Sequence, residues 1–477
     1  MHRVSHPLEA AMAAHRAGRL EDADRLYRRA VEADPGDVQA LRLRGILARE
    51  RGDLDASSRL LGRAAEVAAP GDAAPLAERA LTRLAAHDLD GALADLRAAL
   101  GRDPDHGRAL ANLGALLQYR GHLLEAIVLE ERALQLDAGD IDVRCNLAKA
   151  LAETGRGTEA LVLCDAGLAV APAHPQLLAT RGAVCCDIGD FAAAVSVLDG
   201  AVARNPDDDS AWVSLAFARA QCADHAAAMD ALRAARRANP HNARATADLL
   251  NLLAGTGRGQ DALDLAGEFL ATHPGERHVL AALGFALRDA GDIAAADALV
   301  DHDHAVSVSA VELPLGLGAG LLADPSLVDS PASKATRGGR QSGELDLSSP
   351  PLAAFAALLK PAIAAHPAMA EGPAHWSLRA WTTVLTAGGH QLPHIHPEAW
   401  LSGVCYVDVP AMGAGQAGWI EFGAPPPRFL IASAPPRRAV EPIAGRLVLF
   451  PSYFHHRTLP FAAAGTRVSV AFDVVAA

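Results

Sequence analysis

Two histidines, His394 and His396, stand one residue apart just ahead of an apolar, β-branched run from Leu401 to Val407. A second pair, His455 and His456, follows Phe450-Pro451-Ser452. Eleven residues past His456 comes Arg467, and Ser469 follows it. Imidazole is the commonest protein ligand for metals. At the entry of a strand, alternation sends residues two apart to the same face, so His394 and His396 can approach one ion together. Of the distal pair, one must face away, because adjacent strand residues point in opposite directions. Two histidines at this spacing, a distal histidine and a later arginine read as the halves of a metal site.

These residues need strands to position them, and the surrounding sequence supplies the pattern. Strand-like segments are expected near 376–386, 400–408, 418–422, 446–450 and 467–474, separated by turns bearing Pro and Gly. A Gly/Ser-rich loop is expected over 330–345 and a short helix over 350–366. Several short strands of this kind suggest a small sandwich or barrel. Trp400 and Trp419 read as core residues, Tyr406 as core or as a contact to a bound oxoacid, and His375 and His390 have no assigned role.

The first three hundred residues are different: helix formers, with hardly an aromatic, whereas Trp376, Trp381, Trp400 and Trp419 all lie after residue 370. The positions Gly18, Gly52, His87, Gly121, Gly155, Gly189, Ala223, Gly257 and Gly291 are spaced by 34 residues, with one spacing of 35. Five residues after each stands a small side chain, from Ala23 and Ser57 through to Ala296. Seventeen after stands proline in six copies. Small residues let the two helices of a hairpin approach closely, glycine permits the turn, and proline closes the second helix. Period and pattern resemble the tetratricopeptide repeat, nine copies over residues 1–303. The last copy decays, with Asp303 where a small residue is usual.

The resemblance implies a right-handed superhelix whose concave face often binds peptides. Nine positions before successive turn residues stand Asn112, Asn146, Thr180, Ser214 and Asp248. One small polar group per repeat makes a ladder. Its asparagines resemble the one that grips extended peptide backbone in O-linked N-acetylglucosamine transferases. The other reading is a solvated groove with no ligand.

Residues from about 320 to 477 resemble the bacterial iron(II)/2-oxoglutarate-dependent oxygenases. The resemblance rests on His394, His396 and Pro397, the Leu401–Val407 run, Phe450–Ser452, His456, Pro460, Arg467 and Ser469, in that order. It implies a double-stranded β-helix (jelly-roll) fold, Fe(II), and 2-oxoglutarate as cosubstrate. Three ligands on one face of the octahedron would leave three positions for the oxoacid and dioxygen. The implied metal ligands are His394, His396 and His456. Arg467 and Ser469 would bind the far carboxylate of 2-oxoglutarate, which suits a planar guanidinium fork. The second ligand of that superfamily is usually Asp or Glu, and here it is His396. Three readings stay open: His396 ligates, water fills the position, or the register slips so that His396 and Glu398 form the pair. A cupin is the rival for Gly388 to His396, but Trp400 and Leu401 stand where its glutamate belongs.

The whole chain therefore reads as α + β in separate domains, 1–303 a tetratricopeptide array and 304–477 an oxygenase-like β domain. The expected function is hydroxylation of a peptide or protein substrate recruited by the repeats. The alternative is an adaptor whose β domain is not catalytic. A formal charge of -13 over 477 residues argues against a large nucleic-acid surface. Neither a signal-peptide core nor a stretch of about 20 apolar residues is evident, so no membrane partner and a cytoplasmic location are expected. Six cysteines without a C-x-x-C pair fit a reducing compartment.

Overall fold

The computed structural model describes residues 7–330, 335–412, 415–427, 431 and 435–476. All nine residues of the 34-residue register adopt positive φ, from 59° at His87 to 89° at Gly291. Each turns one helix back on the next. The small residues five positions later, Ala23 and Ser57 through to Ala296, are all 0 % exposed. A side chain no larger than this is what lets each hairpin close.

By contacts the chain forms two compact units. The first comprises Met1–Arg120 with Leu124–Leu147. It holds the hairpins α1 (Pro7–Arg16) and α2 (Leu20–Ala33), α3 (Val38–Glu50) and α4 (Leu54–Val67), α5 (Ala74–Ala85) and α6 (Leu89–Arg102), and α7 (Gly107–Tyr119) and α8 (Leu123–Leu136). The start of α9 (Ile141–Glu153) completes it. Asp53 and Asp88 cap their helices by accepting from the backbone N–H three residues on, each worth about 1 kcal/mol. The acids buried here are partnered. Glu78 pairs with Arg49 and Arg108, and Asp95 with Arg79. Glu130 is different. It is 0 % exposed, its oxygens accept from the Gln118 amide, and burial pushes its carboxyl up to about 7.

The second unit comprises Gly121–Leu123 with Ala148–Ala477. Its helical part runs through α10 (Gly157–Val170), α11 (Pro175–Asp187), α12 (Phe191–Arg204), α13 (Asp209–Gln221) and α14 (His225–Ala238). It continues through α15 (Ala243–Gly255), α16 (Gly259–Thr272) and α17 (Arg277–Asp289) to a shortened α18 (Ile293–Leu299) and α19 (His302–Ala305). Asp303 lies in that last turn of helix, where the repeat pattern decays. Contacts that join these helices to the strand-bearing part include Tyr453 donating its hydroxyl to the Leu299 carbonyl, Arg277 4.2 Å over the Trp400 ring, Phe285 against His455, and Arg438 donating to the Asp303 carbonyl.

The strands are β1 (Ser307–Ala310), β2 (Val328–Asp329), β3 (Thr336–Gln341), β4 (Trp376–His394), β5 (Leu401–Asp408), β6 (Ile420–Phe422), β7 (Arg438–Val440), β8 (Arg446–Pro451), β9 (His456–Thr458) and β10 (Arg467–Ala476). They form one antiparallel sheet in the order β1-β8-β5-β10-β4-β9-β6-β7, with β3 also on β4 and β2 on β3. Helices α20 (Leu317–Leu322) and α21 (Leu352–Ala364) cover one face. There Val468, Val470, Phe472 and Val474 of β10 pack against Leu321, Phe355 and Ile363. The alternate residues Arg467, Ser469, Ala471 and Asp473 therefore point to the other face.

One sequence expectation needs correction. Of the loop expected over 330–345, residues 336–341 are strand β3, and 331–334 lie outside the described residues. No apolar period marks β3, because its order comes from pairing with β4. A Cβ at Gly339 would meet the Val384 carbonyl at 2.6 Å, so only glycine lets the strands approach there. Among the described residues no helix is long and apolar enough to cross a membrane.

Two predictions test the helical part. His87 and Ala223 hold left-handed conformations that cost a non-glycine residue about 1–2 kcal/mol. His87→Gly and Ala223→Gly should each stabilise their hairpin by about 1 kcal/mol, read as slower local hydrogen exchange. Glu130 is held protonated relative to the unfolded chain, so its unit is most stable below the ordinary carboxylate pKa. That stability is lost as pH rises towards about 7. Glu130→Gln should remove the dependence. At pH 8 it should protect the α8 amides by up to about 3 kcal/mol over the parent, with no gain at pH 4.

Candidate metal centre

Strands β4 and β9 run antiparallel, and their register sets His394 opposite His456, with ring centroids 4.3 Å apart. His394 is the last residue of β4, not the first of a strand as expected. His396 lies in the following turn, its backbone N–H bonded to the Ser452 carbonyl. Its ring stacks on Trp381 at 5.4 Å. The three imidazoles place one potential ligand atom each within 4.8 Å of one another.

The tautomers follow from the partners. Nδ1 of His394 donates to the Leu392 carbonyl at 2.8 Å and Nδ1 of His456 to the Phe454 carbonyl at 3.0 Å. Nδ1 of His396 donates to the Asp473 carboxylate at 2.8 Å. Each partner can only accept, so each Nδ1 carries a proton, and in a neutral ring that leaves the lone pair on Nε2. Burial holds His456 well below the ordinary imidazole range and His394 down to about 4, so both stay neutral donors. Such a donor set fits a divalent transition metal. Asp473 also accepts from the Ser402 hydroxyl at 2.7 Å, which fixes the carboxylate behind His396.

A cavity of about 140 Å3 extends from the histidines to Arg467. This guanidinium is 2 % exposed, and one nitrogen donates to the Gly418 carbonyl at 2.7 Å. Its Nε has no partner, and among the described residues no carboxylate pairs with it. The hydroxyls of Tyr406 and Thr383, also on the cavity wall, are likewise unpartnered. Ser469 donates to the Thr383 carbonyl at a long 3.4 Å. A buried cation without a counter-charge costs several kcal/mol. The chemistry of this end therefore fits an anionic ligand such as the carboxylate of an oxoacid.

Other expected residues lie elsewhere. Glu398 is exposed and sits 3.4 Å from Arg379. His455 packs on Phe285. Of the polar ladder, Asn112 and Asn146 belong to the first compact unit, while Thr180, Ser214 and Asp248 share the second with the histidines. Thr180 is buried, and Asp248 stands near Arg244. Asp473, Trp381 and Thr383 were not singled out from sequence. Alternation along β10 from Arg467 reaches Asp473, but Trp381 and Thr383 enter only through their pairing with Ala471 and Ser469.

Residues 379–473 match the model of the family described as "Putative 2OG-Fe(II) oxygenase". Tetratricopeptide-repeat models match residues 117–184 and residues 8–73, 78–141 and 187–243. The chain is 34 % identical over 143 residues to Protein FlbA of Caulobacter vibrioides, covering 29 % of this chain and 24 % of that protein. It is 29 % identical over 275 residues to Cellulose synthase 2 operon protein C of Komagataeibacter xylinus, covering 54 % and 21 %. It thus spans about a quarter or less of the length of these relatives. Among solved structures, a tetratricopeptide repeat protein from Parabacteroides merdae is 17 % identical with a TM-score of 0.41, covering 49 % of this chain and 92 % of that one. YrrB, described as a TPR protein with an unusual peptide-binding site, is 20 % identical with a TM-score of 0.32, covering 38 % and 94 %.

The Asp473–His396 bond predicts a specific defect. Asp473→Asn should weaken cobalt(II) binding by about 10- to 100-fold, as losses behind a ligating histidine usually do. His455→Ala should leave it unchanged. Cobalt(II) absorption titrated with each variant checks both.

Proposed function

Because the chain joins tetratricopeptide repeats to a domain of the 2OG-Fe(II) oxygenase kind, we propose that it is an iron(II)- and 2-oxoglutarate-dependent hydroxylase. One observation carries this reading: three imidazoles with free Nε2 atoms face a cavity whose far end is a buried arginine without an acid partner. Residues 1–303 would recruit a peptide or protein, and 304–477 would modify it. The antiparallel sheet, with the site on the face opposite α21, supports a double-stranded β-helix.

His394, His396 and His456 would hold Fe(II). His396 takes the place usual for a carboxylate, in preference to Glu398, which points away to Arg379. Bound there, iron and 2-oxoglutarate supply oxidative decarboxylation: substrate C–H, dioxygen and 2-oxoglutarate become C–OH, succinate and carbon dioxide. The chain's own residues do the rest. Arg467 pairs with the far carboxylate, and the Tyr406 and Thr383 hydroxyls have donors to offer it. Ser469 lies beside them on the same face of β10. Asp473 holds the proton on Nδ1 of His396, which would leave Nε2 for the metal. Trp381 closes the wall behind that ring and keeps water from it.

Anaerobic protein with iron(II) and 2-oxoglutarate is expected to show the weak visible band of a bidentate chelate. Arg467→Met should weaken 2-oxoglutarate binding on the order of 10- to 100-fold, the scale of a charge-assisted pair, while metal binding stays intact. His394→Ala should lose both. Unchanged 2-oxoglutarate affinity in Arg467→Met would sink the assignment.

A further inference from the structure

Within the second compact unit lies a cleft of about 930 Å3, far larger than the 140 Å3 metal cavity. Its walls have two origins. One is built by the repeat helices α11, α13 and α15 with the start of α12. The other is built by the end of β4, Arg337 of β3, and Pro426 and Pro427. His394 and Ala335 line both spaces, so the cleft and the metal cavity adjoin at that imidazole. Such continuity is expected of the path by which a substrate side chain reaches the metal.

The repeat wall is periodic. Ala183 and Phe217, Asp187 and Gln221, and Ser210 and Arg244 each stand 34 residues apart and line the same cleft. Successive repeats thus present one helical face at a regular rise, which matches a polymer better than a compact small molecule. Part of the wall is apolar. Ile188 is 46 % exposed, Phe191 and Phe217 meet edge to face at 5.8 Å, and Leu392 and Pro393 continue the surface to His394. Of the five ladder residues only Ser214 is on this wall, and its hydroxyl is bonded to the Ser210 carbonyl.

We infer that this cleft holds an extended polypeptide segment. An apolar residue of that segment, next to the modified one, lodges on Ile188, Phe191 and Phe217, and the modified side chain passes Leu392 and Pro393 to reach His394. The inference rests on the oxygenase reading above and names its substrate site. Grip through the Asn112 and Asn146 amides is not required.

The probe is a random decapeptide phage library, selected on the full chain loaded with cobalt(II) and 2-oxoglutarate. Enriched peptides are then synthesised with a fluorophore. They should share an apolar position, bind with raised anisotropy and alter the cobalt absorption, because the bound chain reaches the metal. Ile188→Glu should weaken them by about tenfold or more. Arg244→Glu, on the same wall, should also change their affinity. Both variants should keep the parent's melting profile and cobalt spectrum without peptide, since neither residue touches the metal cavity.

Peptides that bind Ile188→Glu and Arg244→Glu as tightly as the parent, or that leave the cobalt spectrum unchanged, would overturn the inference. So would a selection that enriches none. In those cases intact metal and 2-oxoglutarate binding would leave the oxygenase reading standing. Conversely, if iron and 2-oxoglutarate fail to bind yet peptides still depend on Ile188 by anisotropy, the cleft stands and the oxygenase reading falls.

Discussion

Strand β10 pairs with β4 along one edge and with β5 along the other, and this double pairing sets the distance between the two ends of the site. Its even face packs Val468, Val470, Phe472 and Val474 into the core beneath α21. Its odd face then has no choice of direction. Arg467 and Ser469 fall at one end of the cavity, and Asp473, about 20 Å of strand further on, falls behind His396. A slip of one residue would bury the arginine among leucines and turn the valines to the histidines, so the register is held by the hydrophobic core itself.

The electrostatics of the cavity follow from that geometry. His394 and His456, kept neutral by burial, would bring no negative charge of their own to a divalent metal. The nearest fixed carboxylate is Asp473, one hydrogen bond removed through His396. If the three imidazoles hold a metal, His396, oriented by Asp473, stands where an acid is usual. Nδ1 of His394 and of His456 donates to a backbone carbonyl, and of the three imidazoles only His396 is hydrogen-bonded to a carboxylate. At the far end, Arg467 lies buried over the Tyr406 ring without a carboxylate partner among the described residues, an arrangement that favours an anionic ligand.

The helical repeats obey a simpler rule. Each hairpin needs a residue with positive φ at the turn and a side chain small enough to vanish at the crossing. The chain meets both demands at nine places, tolerating His87 and Ala223 where glycine would be easier. Contacts from α17 and α18 to Trp400, His455 and Tyr453 then bring the last repeats against the strands. The wall of the cleft that leads to His394 is thus made partly of repeats and partly of sheet.

The 34-residue period was legible in the sequence because each hairpin is a local structure whose requirements recur at fixed spacing. The five main strands and the helix near α21 were legible for the same reason, through alternation and apolar runs. The histidines and Arg467 could be picked out because few residue types do their chemistry. Strand β3, and the positions of Trp381 and Thr383 on the cavity wall, were not legible, since they depend on which strand pairs with which and in what register. The different surroundings of His396 and Glu398 were not legible either. Both are polar and two residues apart, and only the approach of Asp473 from a strand 77 residues away, with Arg379 drawing Glu398 outward, tells them apart.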